Sequence, residues 1–278
     1  MSSKVELRVF LLPGKIPHSP QRFAETIGLV IERERMKTEL DGLRYYVEGT
    51  TDSLFERWFY CEDLGSQLGP IIKEYFASEQ HKTGKPIPGT IPENPPFAPD
   101  AARKLEDPFP LAKWLTKHSA EIHQEGSKRL FDLSYQSDVT VFGRGTSEVK
   151  LPRAETWLWQ LEGETAVTTG GKMVKLKPQD SLLLRADSPY SLTRTEGALT
   201  LSVVMDPGIC LFPPFFPIPL SAPSSITFLY PLFSSLPFAP LFPLPSPHFS
   251  SLPIPLPFPH SSSLHLHFLI FPPPLLLL

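Results

Sequence analysis

Through residues 1–210, apolar positions come in short runs that alternate with polar ones or fill a strand's length, punctuated by Pro, Gly and Asp. LRVFLL (7–12), IGLVIE (27–32), TWLWQLEG (156–163), SLLLR (181–185) and LTLSVV (199–204) share this pattern. In ETAVTTGGKMVKL (164–176) two such runs meet at Gly170-Gly171, a hairpin signal. Short strands separated by Gly/Pro turns predict an antiparallel barrel or sandwich. Two segments follow the helical period instead. In SQLGPIIKEYFASEQHK (66–82), Leu68, Ile71, Ile72, Tyr75 and Phe76 mark one face, with Ser66 the expected N-cap. LAKWLTKHSAEIHQ (111–124) predicts a short amphipathic helix.

The strand pattern repeats. FLLPGKIPHS (10–19) and LLLRADSPYS (182–191) lie 172 positions apart, so that Leu11, Leu12, Pro17 and Ser19 fall on Leu183, Leu184, Pro189 and Ser191. Without a gap, Arg22 falls on Arg194 and IGLVIE on LTLSVV. Each copy reads strand, proline turn, strand. Between the copies, residues 86–110 hold eight prolines in twenty-five and read as a linker. The second copy has its own strands upstream, from about Glu155, whereas only seventeen residues precede His18. The first half of the first barrel is therefore expected to be missing.

Composition changes the picture after Cys210. All 26 basic and 29 acidic residues precede position 211, and the following 68 residues hold 18 of the 34 prolines and 11 of the 20 phenylalanines. The longest proline-free stretch there, 260–271, is twelve residues, short of the roughly 18–20 apolar residues that a membrane helix needs. The segment 211–278 reads as a low-complexity, disordered extension. Its P-x-x-P spacings lack the basic residue that usually flanks an SH3 ligand. His248, His260, His265 and His267 have no carboxylate or thiolate beside them.

A net charge of −3 gives no electrostatic case for nucleic acid or anionic membrane. Two cysteines exclude a disulfide scaffold, and no apolar leader opens the chain, so a reduced cytosolic protein is expected. Cys61, flanked by Trp58, Phe59 and Tyr60, reads as buried and inert; His118 and His123 read as solvated.

LLPGKIPHSPQRF (11–23), TELDGLRYYVEG (38–49), LFERWFYCEDLG (54–65), ASEQHKTGKPIP (77–88) and WLWQLEGETAVTTGG (157–171) closely resemble the two-cupin 3-hydroxyanthranilate 3,4-dioxygenases. The resemblance covers about residues 8–209. It implies an all-β tandem cupin, two jelly-roll barrels of which the first is incomplete here. It also implies an iron(II) oxidoreductase that opens the ring of 3-hydroxyanthranilate with O2, giving 2-amino-3-carboxymuconate semialdehyde, the precursor of quinolinate on the kynurenine route to NAD. The domains expected are 1–87 (catalytic by ancestry), a linker at 88–105, a metal-free cupin at 106–210 and the tail at 211–278. A monomer is expected, with 3-hydroxyanthranilate and O2 as small-molecule partners and no nucleic acid or membrane.

In that family two His and one Glu hold the iron, a facial arrangement with open positions. The resemblance carries one of these ligands onto His18, the substrate-carboxylate arginine onto Arg22, and a substrate-contacting glutamate onto Glu32. The other two ligands form a His-x5-Glu motif upstream, and no histidine here has Glu six residues later. Under the repeat His18 becomes Tyr190 and Glu32 becomes Val204, as expected of a structural, metal-free second barrel. Without the resemblance Arg22 would read as a solvated arginine, Glu32 as part of the surface run ERER, and Arg194 as a sign that this arginine is kept for structure. The chain is expected to be impaired as an enzyme. The alternative reading is a non-catalytic cupin acting as a binding or scaffold protein.

Overall fold

The computed structural model describes residues 6–19, 26–150 and 152–206, and beyond these the backbone of 226–229, 265–271 and 276–277. The first unit contains strands β1 (Glu6–Leu11), β2 (Pro17–His18), β3 (Thr26–Arg33), β4 (Asp41–Tyr46) and β5 (Ser53–Phe59), then helices α1 (Leu64–Ala77) and α2 (Glu79–Thr83). The proline-rich stretch leads to β6 (Phe109–Pro110) and α3 (Leu111–Glu125). The second unit follows with β7 (Ser127–Arg129), β8 (Asp138–Phe142), β9 (Gly145–Val149), β10 (Thr156–Glu162), β11 (Thr165–Thr169), β12 (Lys172–Leu176), β13 (Ser181–Leu184), β14 (Tyr190–Arg194) and β15 (Leu199–Val204). From the tail come β16 (Ile226–Leu229), β17 (His265–Phe271) and β18 (Leu276–Leu277); the rest of 207–278 lies outside the described residues.

The second unit is built from two antiparallel sheets, ordered β13-β10-β15-β8-β7 and β12-β11-β14-β9. Strand periodicity explains how they pack. In β10, Leu158 points to the second sheet and joins Val167, Leu176, Leu184 and Leu192 in the barrel interior. Its neighbours Trp157 and Trp159 point the other way, into a core shared with Leu111 and Ile122 of α3 and with Val9, Leu11 and Ile31 of the first unit. The first sheet is thus covered on both faces, so β10 is buried from Thr156 through Gln160.

The internal repeat is visible in the backbone. Lys15 and Asp187, 172 positions apart, both take left-handed conformations, with φ of 67° and 61°. For residues with a Cβ that conformation is uncommon, and its recurrence in both proline turns marks one turn design used twice. Pro17 opens β2, and Pro189 directly precedes β14. Ile31 and Val203, also 172 apart, sit in the same core cluster, so the two copies meet through equivalent faces.

Two local expectations are corrected. The cap of α1 is Asp63, whose Oδ1 accepts the Gly65 N–H at 3.0 Å, and the helix starts ahead of Ser66. Glu62 and Asp63 backbone N–H groups also donate to Gln67 Oε1, which fixes the entry of the chain. His118 is not simply solvated. Its ring packs on Trp114 at 4.7 Å between centroids, and its Nδ1 lies 2.8 Å from Glu121 Oε1.

Candidate functional site

The charged run ERER is not a surface run. Strand β3 carries Ile31 and Glu32 into the interior, Glu32 being only 3% exposed. β3 ends at Arg33, and the loss of strand alternation there lets Arg35 turn back onto Glu32. Arg35 Nη2 lies 2.8 Å from Glu32 Oε2, and its Nε lies 2.7 Å from Asp41 Oδ2 at the start of β4. Arg33 faces elsewhere, holding Glu39 through both guanidinium nitrogens at 2.8 and 2.5 Å. One buried guanidinium between two buried carboxylates satisfies charges that would otherwise be costly to desolvate.

The surroundings set the protonation behaviour of this cluster. Burial raises the Glu32 carboxyl above its ordinary range against the pull of Arg35. Burial alone would lower the Arg35 guanidinium, but Glu32 and Asp41 outweigh it and hold the cation more firmly. Cys61, two residues past β5, lies against Asp41, and burial first, with that carboxylate, pushes its thiol up to about 12. Cys61 is buried and unpaired, as its aromatic flank predicts. A pocket of about 210 Å³ opens beside these groups, lined by Glu32, Arg35, Tyr60, Cys61, Glu62 and Leu64.

His18 sits in β2, partly buried, with Nδ1 2.8 Å from the Ile16 carbonyl. Burial lowers its pKa, while that carbonyl and the nearby Asp41 oppose the shift. His18, Glu32 and Arg35 therefore all feel one carboxylate, Asp41. His18 does not line the pocket beside Glu32. Arg22 lies outside the described residues. Among the described residues no group of three His, Cys, Asp or Glu side chains is arranged to hold a metal ion, so the donors present do not fit an iron centre.

At the equivalent place in the second unit the chemistry is different. Tyr190, in the His18 position, is buried among leucines, and its hydroxyl lies 3.2 Å from that of Thr156. Arg194 donates from Nε to the Gly143 carbonyl at 2.7 Å and from Nη1 to Ser147 Oγ at 2.9 Å, and stacks on Phe142. It ties β14 to β9, a structural role that explains an arginine at this place without a substrate.

Arg35 and Asp41 were not singled out by the sequence. The signal was present: an acidic-basic run directly after the apolar strand LVI is more simply solvated only if the strand ends at the surface, and β3 does not.

Residues 5–76 match the family described as 3-hydroxyanthranilic acid dioxygenase. The human 3-hydroxyanthranilate 3,4-dioxygenase is 52% identical over 199 residues, covering 72% of this chain and 69% of the human protein. The rat enzyme of that name is 53% identical over the same lengths. The zebrafish (Danio rerio) one is 43% identical over 202 residues, covering 73% of this chain and 70% of the relative. Among solved structures, a cupin superfamily protein from Desulfitobacterium hafniense superposes on 29% of this chain and 75% of its own, at 19% identity and a TM-score of 0.26. That overlap is too partial to bear on the fold. No helix among the described residues is long and apolar enough to cross a membrane. With about half of some two hundred aligned positions identical to enzymes of one name, and more than two thirds of their length spanned, the chain belongs to the 3-hydroxyanthranilate 3,4-dioxygenase family.

Proposed function

We propose that the activity this chain descends from is the iron(II)-dependent opening of 3-hydroxyanthranilate by O2, and that the 278-residue chain does not by itself hold the iron. The reaction class rests on one observation, the identity to dioxygenases acting on 3-hydroxyanthranilate over 199 residues. In this reading His18 is the metal-facing imidazole, a donor type suited to Fe(II). Arg22 clamps the substrate carboxylate, as a planar guanidinium does bidentately. Glu32 accepts a hydrogen bond from the substrate's amino or hydroxyl group. Its pairing with Arg35 and its burial support that role, because both fix the direction in which the carboxylate points. A single imidazole does not retain Fe(II) against water and buffer, and the described residues offer no second and third donor around it. The partners are small molecules, and a reducing cytosolic setting suits the unpaired thiol of Cys61.

The test is metal content by mass spectrometry after anaerobic loading with Fe(II), together with O2 uptake in the presence of 3-hydroxyanthranilate. Substoichiometric iron and background O2 uptake are expected. Stoichiometric iron with turnover would overturn the second half of the proposal and keep the first.

A further inference from the structure

The two copies of the repeat differ in what lies between their strands. In the second unit β10 runs between β13 and β15, antiparallel to both. The repeat makes β1 the counterpart of β13 and β3 the counterpart of β15, since 181–184 and 199–204 fall 172 positions after 9–12 and 27–32. Among the described residues of 6–206 no strand occupies the place of β10 between β1 and β3. β17 does, paired in parallel with β1 from Glu6–His265 to Leu11–Ile270, and with β3 from Thr26–His265 to Glu32–Phe271. On the far side of β3, β16 runs antiparallel, as β8 does beside β15.

We propose that the first unit carries a strand-acceptor slot between β1 and β3, and that its occupant is residues 265–271 of the same chain. A strand added to open sheet edges is held by main-chain N–H and C=O groups, so the occupant needs no ancestral relation to the strand whose place it takes. That also explains the reversed direction, because parallel and antiparallel ladders both satisfy the edges of β1 and β3. What the occupant does need is an N–H at every paired position, hence no proline. In the proline-rich segment 211–278 the longest run meeting that condition is 260–271, and β17 lies within it. Its sequence, HLHFLIF, has the nearly continuous apolar character of a central strand paired on both sides. The slot thus selects an extended, proline-free, apolar peptide, and the chain's own tail holds one.

The experiment is amide hydrogen exchange followed by mass spectrometry on the full chain and its Leu269→Pro variant. Leu269 is paired with Phe10 in β1 and Val30 in β3, and proline removes the N–H it contributes to the ladder. Exchange in β1 and β3 is expected to accelerate at least tenfold while β10, β13 and β15 keep their protection. Unchanged exchange in β1 and β3 would overturn the proposal. Should the variant unfold throughout, the double variant Val30→Cys, Leu269→Cys decides, because these two positions are direct Cα partners. A 30–269 disulfide within the monomer, identified by peptide mapping, supports the proposal. Its absence, or a cross-link found only in dimers, overturns it, the second result assigning the slot to another copy of the chain.

Discussion

The two units share a turn design and a packing face, but their interiors differ in kind. The first buries Glu32, Arg33, Arg35, Asp41 and Glu56. Its polar interior is a set of charge-assisted contacts, Arg35 on Glu32 and Asp41, and Glu56 on Arg44, Ser53 and Trp58 at 2.6–2.8 Å. The second buries one charged side chain, Arg194, among the described residues; its other buried polar groups are hydroxyls and an amide. Thr165 and Thr200 meet at 2.8 Å, and Thr200 donates to Gln160 at 3.0 Å. Charged interiors are costly to desolvate and persist where they serve a site, whereas neutral, satisfied ones serve packing. The same turn design therefore stands beside a charged interior in the first unit and a largely neutral one in the second, the contrast expected if the first is the site-bearing unit that we propose.

The sharpest way to break that contrast is Arg35→Ala. It removes the guanidinium that neutralises two buried carboxylates, and about 3–5 kcal/mol of destabilisation is expected. Urea unfolding followed by exchange at β3 and β4 should show the loss in the first unit, with β10 to β14 little affected. An equal loss in both units would mean that they do not differ in how they hold together.

Leu158→Ala probes the scaffold form. Leu158 is fully buried in the barrel interior, so removing three carbons is expected to cost about 2–5 kcal/mol, read as a lower urea midpoint reported by the Trp157 and Trp159 fluorescence. Tyr190→Phe should cost only about 1 kcal/mol, the net worth of its hydroxyl contact with Thr156, and Tm is the readout. A much larger loss would give Tyr190 a part beyond filling the place of His18.

The smallest effect concerns pH. Because the folded-state pKa of Cys61 is raised above its ordinary value, the neutral thiol is the favoured form and the stability it contributes is lost only as pH rises past the unfolded value of about 8.5. At pH 8 Cys61 should therefore resist iodoacetamide in the folded chain and react on addition of urea, as peptide mass spectrometry would show. Rapid labelling of the folded chain at that pH would mean an exposed thiolate, and the first unit's interior would be more open than its contacts indicate.

Strands were legible wherever apolar residues alternated or ran for strand length. LRVFLL, IGLVIE, TWLWQLEG and LTLSVV are β1, β3, β10 and β15 within a residue or two at each end, and Gly170-Gly171 is the turn between β11 and β12. Helix caps were less legible, because Ser66 and Asp63 both suit an N-cap and only the hydrogen bond to Gly65 decides. At the site, ERER hid Glu32 and Arg35, since a charge run gives the same sequence whether the strand before it ends in solvent or in the core.

By itself the sequence determined the period of each strand, the 172-residue offset of the repeat, and the short proline-free stretches available for pairing in the tail. Those are local properties, written in backbone sterics and side-chain alternation along one segment. Tertiary structure alone decided that β10 is covered on both faces, that Arg35 meets Asp41 across a turn, and that β17 lies between β1 and β3. The first and last of these join segments far apart in the chain, and the Arg35 contact reverses a local pattern at the end of β3, so the alternation along a strand does not reveal the partner that supplies the energy.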